Sequence, residues 1–438
     1  MFYLVQQFDM LTQPRINYEK EAQTWHFWAP VAVILTFILY QPLIFTDISA
    51  IDFGDVAAAD KLDTQQGTNI FRQLVMALAI IFSVGGLILQ ISKKQYRQAN
   101  LALIAPFVIY CFLSIAWSPV PLITLKRCVQ ILGLIAVGLY AVQSDNFSHK
   151  ILRVVRLILG ATLLINLFMI VFLPSISITP ETGAWRGFFQ HKNSLGAFTI
   201  LALAVWLPAV LEKGQLRTRI LAVLLAILSL LLAIQSDSKT AILINLALLT
   251  LWSFVVFPLP ASIKIALTGT FLLLCTLWFF NFHFISLNHL SQQIFERSAD
   301  LTGRTQLWGI VLEEFQSHPW FGIGYNGFWT STIIDSDWVT FQAHNGYLDI
   351  LNELGIIGAA LFFISFCGLF IKTGKLVNQS PLQYLPYLLL LVGISMHNFM
   401  ESNICRAMTR GWFLYLLIYV IIFSSVQSNK FSFREKTQ

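Results

Sequence analysis

The chain has 438 residues, of which 56% are hydrophobic and only 11% charged, with a formal net charge of +6. A soluble globular protein carries roughly 25% charged residues, so this composition excludes one. The excess of basic residues is small and dispersed, and no nucleic-acid partner is expected.

Apolar runs long enough to cross a bilayer recur along the whole chain, at about 29–45, 70–92, 101–117, 121–142, 151–173, 194–211, 218–235, 240–257, 262–281, 344–371, 382–398 and 405–426. They predict an all-α membrane protein of about twelve transmembrane helices, with one large extracytoplasmic loop between helices nine and ten. The expected organisation is a cytoplasmic tail (1–28), helices one to nine (29–281) and a loop with an amphipathic helix (282–343). Helices ten to twelve (344–426) and a second cytoplasmic tail (427–438) complete it. The first 28 residues lack the pattern of a cleavable signal peptide, and Trp25, Phe27 and Trp28 suit a membrane–water boundary.

With twelve spans both termini share a side, and 17 of the 28 basic residues fall on that side. By the positive-inside rule it is cytoplasmic. The other 11 fall on the outer side, mostly beside further polar residues. Ionisable groups near apolar runs are costly unless they line a cavity or find a partner, so an outward-facing, positively charged cavity is inferred.

Lys126 and Arg127 sit about one turn inside the fourth run. They either snorkel to outer headgroups or enter this cavity. Arg186, His191 and Lys192 follow at a loop-to-helix junction, where they either hold an anion with help from the helix N-terminus or meet lipid phosphates. In the turn Gln235–Thr240, Asp237 and Lys239 either pair at the surface or Ser238 and Asp237 cap the next helix. The five cysteines are scattered without a C-x-x-C pair and read as small buried hydrophobes.

Residues 304–317 place Leu307, Val311, Leu312 and Phe315 at amphipathic helical spacing, and His318-Pro319 ends that helix. Gly322 to Gly327 reads as a flexible turn; it lacks the G-K-[ST] of a nucleotide loop. Asp335-Ser-Asp337 matches the D-x-D of metal-using sugar transferases, a pattern too short to define a metal site, and none is assigned. From His344 the tenth helix begins, and Asn345, Asp349, Asn352 and Glu353 share one face at i, i+4, i+7 and i+8. A polar stripe in an apolar helix faces protein or a water-filled cavity. The turn from His397 through Glu401 to Arg406 and Arg410 adds polar groups on the same side.

Four features in this order, Gly303-Arg304…Trp308, His318-Pro319, Gly322-x-Gly324 and His344-Asn345…Glu353-x-Gly355, resemble the O-antigen ligase and polymerase family, polytopic glycosyltransferases of the GT-C kind. The resemblance spans roughly residues 180 to 400. Arg186 to Asn193 and Ser236 to Thr240 look more like the exopolysaccharide-polymerising members, since ligases usually carry arginine where Lys239 stands. The resemblance implies transfer of a glycan from an undecaprenyl-pyrophosphate carrier to an acceptor hydroxyl, outside the bacterial cytoplasmic membrane and without a metal or other cofactor.

The resemblance also implies site roles. His344 would be the general base, its alternative being a helix-capping histidine. Arg304, Arg186 and Lys239 would stabilise the pyrophosphate. His191, Lys192, Arg127, Asn345 and Glu353 complete the expected substrate-binding set, with Glu353 too far along the helix to orient His344. The expected partners are the lipid-linked oligosaccharide, the bilayer and other polysaccharide assembly proteins. Two readings from other classes stand beside this one: a lipid-linked glycan flippase, which would carry cations through the depth of a central cavity, and a non-catalytic assembly scaffold.

Overall fold

A computed structural model describes residues 31, 70–94, 96–143, 147–189, 191–212, 215–257, 260, 262–263, 304, 307–329, 342–406 and 409–434. The described residues are mostly helical, with a single isolated bridge between Ile178 and Trp185. Besides one short turn of helix at Pro174–Ser177, the helices are α1 (Ile70–Ser92), α2 (Ala105–Leu113, extended by a 3-10 turn to Ala116), α3 (Pro121–Ala141), α4 (Phe147–Phe172), α5 (Lys192–Ala209), α6 (Leu216–Gln235) and α7 (Lys239–Val256). After them come α8 (307–317), α9 (Gly346–Gln379), α10 (Pro381–His397) and α11 (Arg410–Arg434).

Seven of the described helices are long and apolar enough to cross a membrane: α1, α3, α4, α5, α6, α7 and α9. The expected runs at 101–117 and 405–426 form the shorter apolar helices Ala105–Ala116 and Arg410–Ser424, and the run at 382–398 forms α10. Apart from residues 31, 262 and 263, the runs at 29–45 and 262–281 lie outside the described residues, as does most of the loop 282–343, including Asp335 and Asp337.

Packing fixes which helix ends meet. Tyr387, near the start of α10, donates to the Ser148 carbonyl at the start of α4 (2.7 Å). At the other end of α4, Asn166 accepts the Phe188 N–H (3.1 Å), which brings in the loop before α5. The Trp185 N–H donates to the Gln235 carbonyl at the end of α6, and the Gly346 N–H to the Asn398 carbonyl just past α10. Tyr325 N–H reaches Ser114 Oγ at the end of α2 (3.0 Å). Among the described residues, the segments expected on the outer side therefore gather at one end of the bundle. The opposite end holds Arg156, which is buried and pairs with Glu212 (2.7 Å) while donating to the Val205 carbonyl.

Between these ends runs a seam of stacked aromatics. Trp412 and Tyr415 of α11 stack on each other, Phe107 of α2 meets Trp412 edge-on, and Phe362 of α9 touches both Phe107 and Tyr415. Offset and edge-to-face pairs of this kind add to area burial. They tie α2, α9 and α11 into one core beneath the polar end.

The feature that shapes the polar end is a break in α9. Gly355 has φ 64° and ψ −172°, a conformation essentially reserved for glycine. It lies nine residues past the helix start, about 13 Å down the axis. The freed backbone groups are taken up by the segment after α8. Gly324 N–H donates to the Glu353 carbonyl (2.8 Å) and Ile323 N–H to that of Asn352 (3.2 Å). In return, Ile356 N–H donates to the Pro319 carbonyl (2.8 Å) and Ile357 N–H to that of Trp320 (3.2 Å). Irregular backbone at such depth persists where protein satisfies it. The segment 322–327, read from sequence as a flexible turn, is thus largely buried and docked against α9. Its glycines at 322 and 324, both with positive φ, let it approach that closely.

Candidate active site

The docked segment and the turn after α10 build a polar cluster over the start of α9. Asn345 caps the helix, its side chain accepting the N–H groups of Tyr347 (3.1 Å) and Leu348 (3.3 Å). Just before it, His344 is held at φ 52°, unusual for a residue with a side chain. Its Nδ1 lies 3.0 Å from Glu401 Oε2. The same oxygen accepts from Gln342 Nε2 (2.9 Å), and Gln342 in turn accepts the Ser402 N–H (3.2 Å). The other Glu401 oxygen lies 3.6 Å from Arg304 Nη2, and Arg304 also donates to the Met400 carbonyl (3.3 Å). Burial alone would raise the Glu401 pKa. The hydrogen bond to His344 and the charges of His344, His397 and Arg304 outweigh it and hold the carboxyl below its ordinary value.

Beneath this cluster, Asp349 is a second anchor. One of its oxygens accepts Trp329 Nε1–H (2.8 Å) and the Ala343 N–H (3.2 Å); the other meets the Ser402 hydroxyl and faces Arg406 at 3.7 Å. Asp349 therefore fixes the residue directly before His344 and the residue directly after Glu401. Glu353, one turn further, accepts the Asn326 N–H (2.9 Å) and closes the docked segment over the helix. Asp349, Glu353, Ser402, Cys405 and Arg406 line a small cavity at this level. Cys405, fully buried, has its thiol pKa pushed well above the ordinary range.

A second cationic group sits at the same end, around α5 and α7. Arg186 donates to the Ile176 carbonyl (3.0 Å), Lys192 pairs with Asp237 (2.9 Å), and His191 caps α5 by accepting the Asn193 N–H (3.2 Å). Lys239 opens α7 with an exposed side chain. Gly196 packs against Ser238 and Ala241, so close that a Cβ there would lie 2.7 Å from Ser238 Cβ. That contact holds the first turn of α5 against the start of α7.

A family model described as O-Antigen ligase matches residues 221–363, a stretch that includes Lys239, Arg304, His344 and Glu353. The chain is also 24% identical over 310 residues to "Exopolysaccharide production protein ExoQ" of Rhizobium meliloti (strain 1021), an alignment covering 64% of this chain and 68% of the relative. Over these stretches the chain is similar to the O-antigen ligase and polymerase family. Its apolar helices and this similarity make it a multi-pass membrane protein.

Of the residues singled out from sequence in this O-antigen ligase relative, Arg304 and His344 meet through the shared carboxylate of Glu401. Asn345 serves as the helix cap and Glu353 as the buried acceptor of the docked segment. Arg127 of α3 donates to Gln130 (3.4 Å) and lies within electrostatic reach of Glu353. Arg186, His191, Lys192 and Lys239 form the separate group around α5 and α7. Leu312, expected on the buried face of α8, is exposed, whereas Leu307 and Val311 are buried. Gln342 was not singled out from sequence, and Asp349, Glu401 and Arg406 were read only as polar groups on the cavity side, with no role assigned. The clustering of His397, Glu401, Arg406 and Arg410 between two apolar runs was the available signal, without indicating which of them meets His344. Among the described residues, no group of three or more His, Cys, Asp or Glu side chains is placed to hold a metal ion.

Proposed function

We propose that this protein is a glycosyltransferase of the cytoplasmic membrane that polymerises an exopolysaccharide or O-antigen on the outer face. Its donor is a glycan on undecaprenyl pyrophosphate, and its acceptor hydroxyl belongs to another lipid-linked repeat unit. The observation that carries this reading is the juxtaposition of Arg304 and His344 on the two oxygens of one carboxylate, at the end of the bundle where the other cations gather. Such an arrangement puts a fixed cation, suited to a phosphate oxygen, beside an imidazole suited to accept a hydroxyl proton. Arg186 and Lys239 extend the positive field toward α5 and α7, and the apolar helices accommodate the polyprenyl chain. The pyrophosphate leaving group is stabilised by these cations without a metal. The relative named for exopolysaccharide production and Lys239 at the start of α7 favour a polymerase over a ligase acting on lipopolysaccharide core.

In the reaction, His344 takes the acceptor proton as its oxygen attacks the anomeric carbon, and the carbon–phosphate-oxygen bond breaks toward Arg304. General-base assistance contributes about 10²–10⁴-fold. His344→Ala in proteoliposomes is therefore expected to cut polymer synthesis by about that factor while leaving binding of the lipid-linked donor close to wild type. Persistent synthesis, or loss of donor binding in parallel with synthesis, would remove His344 as the base.

A further inference from the structure

We propose that Glu401 is a positioning residue for the reaction: its carboxylate accepts the Nδ1–H of His344, fixes the tautomer with Nε2 unprotonated toward the acceptor, and couples that base to Arg304. This deepens the reading of His344 as general base and rests on it.

The geometry leaves little choice of tautomer. An ionised carboxylate only accepts hydrogen bonds, and Glu401 Oε2 stands 3.0 Å from His344 Nδ1. A lone pair on Nδ1 would face that oxygen, so the nitrogen carries the proton. Gln342 is near both groups, 2.9 Å from Glu401 Oε2 and 3.2 Å from Nδ1. With Nδ1 protonated its amide serves the carboxylate, and its own oxygen holds the Ser402 N–H. Glu401 is itself fixed from both sides. Its backbone N–H donates to the His397 carbonyl at the end of α10 (3.0 Å), and its neighbour Ser402 is tied to Asp349. His344, with its positive φ, is held by Asn345 capping on one side and by Ala343 bound to Asp349 on the other. Both partners therefore belong to one braced corner.

Among the described residues, charged groups from several elements face this pair. Arg304 faces Glu401 from the segment before α8. His397 from α10 and Arg410 from α11 lie behind it, and Arg406 with Asp349 lies one layer deeper. A carboxylate in contact with an imidazole helps it to take up a proton, and Glu401 stands in that position to His344. The active form is the neutral ring. Acid therefore suppresses activity by protonating the ring, and removing the carboxylate's charge moves that loss to lower pH.

The test is the pH–rate profile of polymer synthesis in proteoliposomes. Glu401→Gln keeps the shape and removes the charge. Its acidic limb is expected to move down by about one pH unit or more, with a reduced plateau, since the amide can offer its NH₂ to Nδ1 and favour the wrong tautomer. Glu401→Asp keeps the charge and the position of the limb. If Glu401→Gln does not accumulate in the membrane, Glu401→Ala assayed with and without formate takes its place, with formate expected to return the limb toward the wild-type position. His397→Gln, the control for the other histidine, should leave the limb where it is. A limb that stays fixed in Glu401→Gln, or in Glu401→Ala with and without formate, overturns the proposal, as does one that follows His397. Undiminished synthesis in His344→Ala is a different failure, that of the base itself.

Discussion

The break at Gly355 supports everything above it, and Gly355→Ala is the perturbation that isolates it. Alanine would have to hold φ 64° and ψ −172°, a region that costs of order 1–3 kcal/mol for a residue with a side chain. Its Cβ would also abut the Trp320 carbonyl and lie 2.7 Å from Gly322 N. These are backbone atoms that cannot rotate away, and overpacking of this kind costs typically about 1–3 kcal/mol. Together the two effects amount to about 2–6 kcal/mol against docking of segment 319–326. That is a factor of roughly 30 to 10⁴ in the docking equilibrium. The consequence travels along named contacts. An undocked segment withdraws Asn326 from Glu353 and Trp329 from Asp349, and Asp349 holds Ala343 beside the base. Polymer synthesis should therefore collapse, the segment should become susceptible to limited proteolysis, and the thermal unfolding midpoint should drop. Gly374→Ala in the same helix is the control, because a Cβ there meets nothing within 4 Å. It should be neutral or slightly stabilising, as alanine is the better helix former. Wild-type synthesis and an unchanged midpoint in Gly355→Ala would refute the argument.

Arg304→Ala is expected to abolish polymer synthesis at near-normal abundance, and Arg304→Lys to restore little of it, because lysine lacks the planar fork that grips two phosphate oxygens; wild-type rates in Arg304→Ala would discard the clamp. Lys239→Arg should be tolerated in the same assay, and its failure would show that the compact ammonium is needed at the start of α7. Purified enzyme should continue to work in excess EDTA, whereas a loss reversed by magnesium or manganese would move Asp335 and Asp337 into the chemistry. For topology, Ser298→Cys and Ser331→Cys should react with an impermeant thiol reagent in intact spheroplasts and Ser432→Cys should not; the opposite pattern would invert the orientation.

The resemblance to the family was legible from motifs that lie in order along the chain, and the membrane architecture from composition. Apolar runs separated by charged turns announce helices because a bilayer demands local backbone hydrogen bonding, and that demand is written residue by residue. The stripe of Asp349, Asn352 and Glu353 was legible for the same reason, since helical periodicity is local, and all three are buried. What it faces was not legible. The docked segment belongs to residues 319–326, and glycine at 355 looks in sequence like any glycine tolerated in a membrane helix. Only its φ and the loop packed against it reveal a break. Asn345 was read as a ligand because an asparagine caps or binds with the same atoms, and the backbone alone distinguishes the two. Glu401 meets His344 across 57 residues. A pairing at that separation leaves no periodic trace; it is decided when α9 and α10 pack and bring the Asn398 carbonyl to the Gly346 N–H. The sequence alone thus determined which residues must avoid lipid, because that constraint acts on each residue separately. Which of them hold one another was decided only by tertiary packing, because that depends on where two distant backbones come to rest.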